Sequence, residues 1–216
     1  TFSSGSVQYQ LLYNICYLKE KHMPPKTKYT KEAIVSAGLE LVRQDGIDSL
    51  NARNLAARLG SSTQPVFSRF PDMDSLKSAV VEAAGSFFSD YVQRAMEKAV
   101  GMPEYKASGL AYIRFASEER ELFRLLFMTP GNSDGGGKIA PLADRLADIV
   151  SGDTGADHDS AMLIHCENWV FVHGLAVMSA SGSNDWQQSL IERMVSDVYL
   201  GLKKIYSERE ENRIEK

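Results

Sequence analysis

The chain has 216 residues, 44% of them apolar and 24% charged, with 16 Gly, 7 Pro and a net charge of -4. That balance leaves room for one or two globular domains with a sizeable core and excludes a disordered or collagen-like chain. Cys16 and Cys166 lie far apart and form no CxxC pair, which excludes a disulfide scaffold or a zinc finger and fits a reducing cytoplasm.

The charge is uneven. Residues 1–77 carry 10 Lys and Arg against 7 Asp and Glu, a net of +3, whereas residues 78–216 carry 14 against 21, a net of -7. Screening acts over about 8 Å at physiological salt, far less than a domain's width, so the acidic part does not cancel a basic patch on the N-terminal part. No uninterrupted apolar run reaches the ~18 residues of a membrane span, so no membrane partner is expected. The longest candidate, around "NWVFVHGLAVMSA", follows His165 and Glu167.

Residues 1–22 stand apart as a leader or extension, or else a docking helix. Their apolar stretch "LLYNICYL" is short and no positive charge precedes it, unlike a secretory signal. Met23 reads as a natural start, and residues 23–77 as the first domain. Thr30 is the expected N-cap of a first helix with Ile34, Ala37 and Leu41 on one face, ended by Gly46. A second helix runs over 52–59, capped by Asn51, with Ala52, Leu55, Ala56 and Leu59 at helical spacing. Gly60 breaks it, Ser62 is the expected cap of a third, and Pro65 falls in that helix's first turn. Asp72 caps a fourth.

Beyond Leu76 the pattern is helical throughout, with segments near 73–99, 104–128, 138–150, 157–181 and 185–209 forming a second domain over 78–216. The Gly-rich "TPGNSDGGG" has no preceding strand and no Lys-Ser/Thr ending, so it reads as a mobile connection rather than a phosphate loop. The fold class is all-α, with an N-terminal three-helix helix-turn-helix domain followed by a larger helical domain.

Two short helices around a Gly-containing turn match a DNA-reading helix-turn-helix. In the third helix Val66 and Phe70 share a face that packs on Leu41, Leu55 and Leu59. At ~100° per residue, Gln64, Pro65, Phe67 and Ser68 point away from it, with Thr63 and Arg69 flanking. Gln pairs bidentately with adenine, Arg with guanine or phosphate, and Pro, Thr or Phe touches thymine methyls. Arg53 and Asn51 are placed to reach bases or backbone, Lys77 to reach phosphate, and the N–H groups opening the fourth helix form a further phosphate seat. The alternative is a three-helix bundle with a merely solvated outer face.

Residues 30–77, "TKEAIVSAGLELVRQDGIDSLNARNLAARLGSSTQPVFSRFPDMDSLK", resemble the DNA-binding domain of the TetR/AcrR family of transcriptional repressors. "ELFRLLFM" (121–128) and "NWVFVHGL" (168–175) resemble its Trp-His-Gly type of C-terminal domain. Two positions depart: the family usually has Tyr where this chain has Phe67 and a Lys where it has Met73, with Lys77 one turn later. The resemblance implies a homodimer that binds a pseudo-palindromic double-stranded DNA operator, pairs through its last two helices and answers to a small-molecule effector in an apolar chamber.

Leu190, Met194, Val198, Leu202 and Ile205, accompanied by Ile191 and Val195, form a long apolar stripe assigned to dimer burial, with intramolecular core as the alternative. Chamber candidates are Tyr112, Phe115, Phe123, Phe127, Met128, Met162, His165, Trp169, His173 and Met178, set against ordinary core packing. The Gly-rich segment is the candidate entrance. His165 and Cys166 point ~100° apart and eight residues separate the two histidines, so no metal is expected. No cofactor fingerprint or catalytic triad is present, so no enzyme is expected. The competing readings are a small-molecule-binding helical protein without DNA and a nucleoid-associated factor without an effector.

Overall fold

The computed structural model describes residues 29–183 and 186–214, with side chains to 209. The expectations for residues 1–22 and Met23, and the Asn-Asp pair ending the "SGSND" break, lie outside the described residues. Among the described residues every regular element is helical.

Helix α1 (Lys31–Asp45) begins where Thr30 Oγ1 accepts from the Ala33 N–H at 3.1 Å and buries Ile34, Leu41 and Val42. Gly46 ends it at φ 79°, ψ 172°, a positive-φ stop outside the left-handed helical well. A 3-10 turn (Ile47–Ser49) leads to α2 (Ala52–Leu59), capped by Asn51 Oδ1 on the Asn54 N–H at 3.0 Å. Gly60 sits in the left-handed well (φ 61°, ψ 41°), which only a residue without Cβ enters freely. There Ser61 N–H reaches back to the Ala56 carbonyl at 2.9 Å.

Helix α3 (Gln64–Phe67) is a single turn. The expected Ser62 cap is not formed: Thr63 takes the cap position with no side-chain hydrogen bond. With so few residues the turn is held by its backing, Val66 and Phe70, which are 0% and 2% exposed.

Helix α4 (Met73–Glu97), capped by Asp72 on the Ser75 N–H at 2.7 Å, runs on from the first three helices with α1 packed along it. Helices α5 (Glu104–Glu118) and α6 (Arg120–Phe127) divide what the sequence suggested was one helix over 104–128. The break falls at Glu119, at φ -119° and ψ 51°. Its buried carboxylate accepts from Arg43 Nε at 2.6 Å and from a second guanidinium nitrogen, tying the break to α1. The Arg43 guanidinium also lies over the Phe87 ring, 5.4 Å from its centre.

The Gly-rich connection leads to α7 (Ala140–Thr154) and packs on α4 with main chain against main chain. A Cβ on Gly85 would lie 2.5 Å from the Gly135 carbonyl oxygen, and one on Gly135 would lie 2.7 Å from Gly85 Cα. Ser89 Oγ donates to the Lys138 carbonyl at 2.9 Å, and Asn132 Nδ2 to that of Leu125 at 3.1 Å.

Helix α8 (His158–Ser181) forms the centre, packed against α5, α7 and α9 (Gln188–Ile214). By length and a mean hydropathy of 1.3 it resembles a membrane span. Its apolarity has another use here: Ile164, Val172, Leu175 and Ala176 are core residues, and the polar His165 and Asn168 are buried between helices.

Candidate functional site: an exposed head and a ring-lined cavity

The first site is the outer face of the head. Gln64, Phe67, Ser68, Arg69 and Thr63 are exposed and Pro65 half-buried, all on the side of α3 away from Val66 and Phe70. Phe67 holds a ring 48% exposed on this face. The Thr63 hydroxyl does not cap the helix, whereas Ser68 Oγ donates to the Pro65 carbonyl at 2.7 Å. Arg53 is exposed on α2. Asn51 is committed to local structure: its oxygen caps α2 and its nitrogen donates to the Ser49 carbonyl at 3.3 Å. Lys77 stands 3.8 Å from Asp74, an exposed pair worth little. The phosphate seat at the start of α4 is narrower than expected, because the Asp72 carboxylate already occupies the Ser75 N–H. Hydrogen bonds from the backbone hold that carboxylate below its ordinary pKa and so keep it negative.

The second site is a cavity of about 80 Å³ between α4, α5, α7 and α8. Phe88 and Val92 reach it from α4, Tyr105, Ser108 and Tyr112 from α5, Phe127 from α6, Leu142, Ala143 and Leu146 from α7, and His165, Asn168, Trp169 and Val172 from α8. Rings meet edge to face: Phe88 with Tyr112 at 5.6 Å and with Phe127 at 5.0 Å. Trp169 stacks on His173 at 5.1 Å.

Two tyrosine–histidine bonds organise the polar groups. Tyr105 Oη lies 3.0 Å from His165 Nδ1, and Tyr112 Oη 2.9 Å from His173 Nδ1. Burial holds both imidazoles below the ordinary histidine pKa and raises both phenols above the tyrosine range, so all four groups are neutral near pH 7. Tyr105 Oη also accepts from Asn168 Nδ2 at 3.3 Å. Tyr105 and Asn168 also border an outer groove of about 480 Å³, where Asp153 accepts from Tyr199 at 2.8 Å and Lys203 at 2.9 Å.

A family model described as the tetracyclin repressor-like C-terminal domain matches residues 105–198, the span that supplies most of the cavity. Over that span the chain is similar to the C-terminal domain of tetracyclin-repressor-like proteins. No curated protein matches it. Among solved structures, a protein of unknown function from Rhodococcus sp. RHA1 is 22% identical, with a TM-score of 0.62 over 85% of this chain and 96% of that one. A TetR family member from Streptomyces coelicolor A3 is 16% identical, with a TM-score of 0.55 over 81% and 98%. RolR, solved with the ligand resorcinol, is 15% identical, with a TM-score of 0.55 over 83% and 88%. At these identities the likeness is one of fold.

The cavity gathers four of the ten chamber candidates: Tyr112, Phe127, His165 and Trp169. Phe115, Phe123 and His173 stand one layer behind, where Phe115 packs on Phe88 at 5.0 Å and Phe123 on Tyr112 at 5.7 Å. Met162 and Met178 are half-buried without lining the cavity, and Met128, 53% exposed, lies away from it. Sequence reasoning missed Tyr105, Ser108 and Asn168. Asn168 lies three residues after His165 on an otherwise apolar helix, and that isolated amide was the available signal. Among the described residues no three His, Cys, Asp or Glu side chains converge on a metal position.

The apolar stripe of α9 is divided. Ile191 and Val195 are buried within the protomer, Met194, Val198 and Leu202 are half-buried, and Leu190 and Ile205 are 43% and 46% exposed. Leu163 and Val170 on α8 and Leu200 on α9 are more than half exposed.

Proposed function

We propose that this chain is a ligand-responsive transcriptional regulator: a homodimeric repressor that binds a pseudo-palindromic double-stranded DNA operator and is released by a small apolar or amphipathic effector. The observation that carries the reading is the outward display of Gln64, Phe67 and Arg69 on a single helical turn whose other face, Val66 and Phe70, is sealed into the core. That arrangement offers an amide, a ring and a guanidinium to a major groove while costing the head no core. Thr63, Pro65 and Ser68 complete the base-facing set. Arg53 and Lys77 serve phosphates, and Asn51 serves through its remaining amide proton.

The exposed Leu163, Val170, Leu190, Leu200 and Ile205 on α8 and α9 supply the apolar surface that a second copy buries. The cavity supplies the effector site, and the RolR complex with resorcinol supports placing a small ligand in a domain of this fold. A ligand that fits one separation of the two heads better than another shifts the dimer toward it and changes DNA affinity by the same factor.

Selection of bound fragments from random double-stranded DNA with the purified chain tests this reading. The expected product is a palindrome with half-sites about 34–36 Å apart. Gln64→Ala then lowers affinity by ~1–3 kcal/mol and relaxes one base position, whereas Arg53→Ala or Lys77→Ala weakens all sequences alike and flattens the salt dependence. Equal affinity for every fragment would favour a nucleoid-associated factor, and no binding at all would leave only a small-molecule protein.

A further inference from the structure

We propose that the cavity binds an uncharged one-ring hydroxyl compound of the phenol class, whose hydroxyl donates to Oδ1 of Asn168. The inference deepens the effector reading and rests on it for its regulatory meaning, though the binding itself is independent of DNA.

The starting point is an acceptor without a donor. Asn168 Oδ1 is buried with no hydrogen-bond partner, on a side chain that is 5% exposed and lines the cavity. A buried polar atom left unpaired is destabilising, and native structures hold few of them. The neighbouring hydroxyls are already engaged. Tyr105 is hydrogen-bonded to His165 and accepts from Asn168 Nδ2, Tyr112 bonds His173, and Ser108 donates to the Tyr105 carbonyl at 2.7 Å. Among the described residues the buried side-chain atom left without a partner is this acceptor, so the open request is for a donor.

The rest of the wall sets the class. No Asp, Glu, Lys or Arg lines the cavity, so a carboxylate or ammonium ligand would enter without a counter-charge. Phe88, Tyr112, Phe127 and Trp169 present ring edges and faces to an aromatic body. At about 80 Å³ the space is near half that of a ~150 Å³ cavity that holds benzene, so a single ring is the best fit and even that needs the wall to move. One ring enters by moving Phe127 or Trp169 outward; Phe127 is half-buried, and Trp169 already has 38% of its surface in solvent. The outer groove beyond Tyr105 and Asn168 is chemically different, carrying Glu104, Lys106, Asp153 and Lys203.

Titration calorimetry of the full chain without DNA tests the assignment with phenol, toluene, anisole, cyclohexanol and benzoate. Phenol is expected to bind roughly tenfold more tightly than toluene, which matches its shape without a donor, and than anisole, which only accepts. Cyclohexanol is expected to bind more weakly than phenol, and benzoate not at all. Asn168→Leu removes the phenol–toluene difference. Ala143→Met fills the cavity and abolishes phenol binding, while Ser196→Met in the groove leaves it intact.

Equal binding of phenol and toluene, preference for anisole or cyclohexanol, or no binding of phenol would overturn the proposal. The comparison within the unmodified protein stands even if a variant fails to fold. Phenol-selective binding with DNA affinity unchanged would sink the effector reading alone, and operator release driven only by donor-free ligands would sink this one alone.

Discussion

Replacing Arg43 with Met removes the guanidinium that holds the buried Glu119 at the α5–α6 break, while its unbranched chain keeps most of the packing against Phe87. The carboxylate accepts two hydrogen bonds from one planar group, a bidentate geometry in which charge-assisted bonds are strongest. Breaking a fully buried pair costs about 3–5 kcal/mol because the remaining charge is stranded. Here the Arg43 side chain is 39% exposed against 9% for Glu119, so water partly rescues the orphan and the expected loss is about 2–3 kcal/mol. For a chain of this size that corresponds to a Tm lower by roughly 4–12 °C.

Urea unfolding followed by tryptophan fluorescence and by circular dichroism measures the loss and shows whether the helices still unfold together. Glu119→Leu alone should also destabilise, but combining it with Arg43→Met should recover most of the stability, because an apolar pair strands no charge. A loss below about 0.5 kcal/mol for Arg43→Met would place the pair among ordinary surface ion pairs and refute the idea that it locks the break.

Thr30→Ala and Asp72→Ala each remove an N-cap and should cost about 1 kcal/mol in denaturant midpoint analysis. His165 and His173 are held neutral by burial. Their folded pKa values lie below the unfolded one, so the unfolded chain binds more protons, and stability should be full above about pH 6.5 and fall on acidification below it. Stability that is flat between pH 7 and 5 would contradict this. Tyr105→Phe strands His165 Nδ1 and the Asn168 amide and should cost about 1–3 kcal/mol in thermal unfolding. Gly85→Ala should cost about 1–3 kcal/mol by driving a methyl group into the Gly135 carbonyl, and a neutral result would show that the loop yields.

The head was legible because its signals are local. Thr30, Asn51, Asp72 and Gly60 act within a few residues of themselves, and the cap or turn each implies is formed. The long helices were legible in number save at Glu119, where no Gly or Pro marks the break. Its determinant is Arg43, 76 residues away. The third helix kept its expected face but lost its cap and most of its length, since tertiary backing rather than propensity holds one turn of helix.

The cavity was the least legible part. Aromatic and Met residues at helical spacing do not reveal which of them abut empty space. Its polar members, Tyr105, Ser108 and Asn168, become a group only when α5 and α8 cross.

The bare approach of Gly85 to Gly135 has a mechanical meaning. A clasp made of two main chains has no side-chain hinge to absorb movement, so α4 and the loop that grips it must shift together. At 1.5 Å per residue, Gly85 sits about 17 Å from Met96 and about 18 Å from Met73. If the rod pivots near Met96, a nudge of about 1 Å at the clasp arrives at the head roughly doubled. Distances from spin labels on the two heads of the proposed dimer, measured with and without ligand, would register that gearing, and unchanged distances on ligand binding would show that the rod does not pivot.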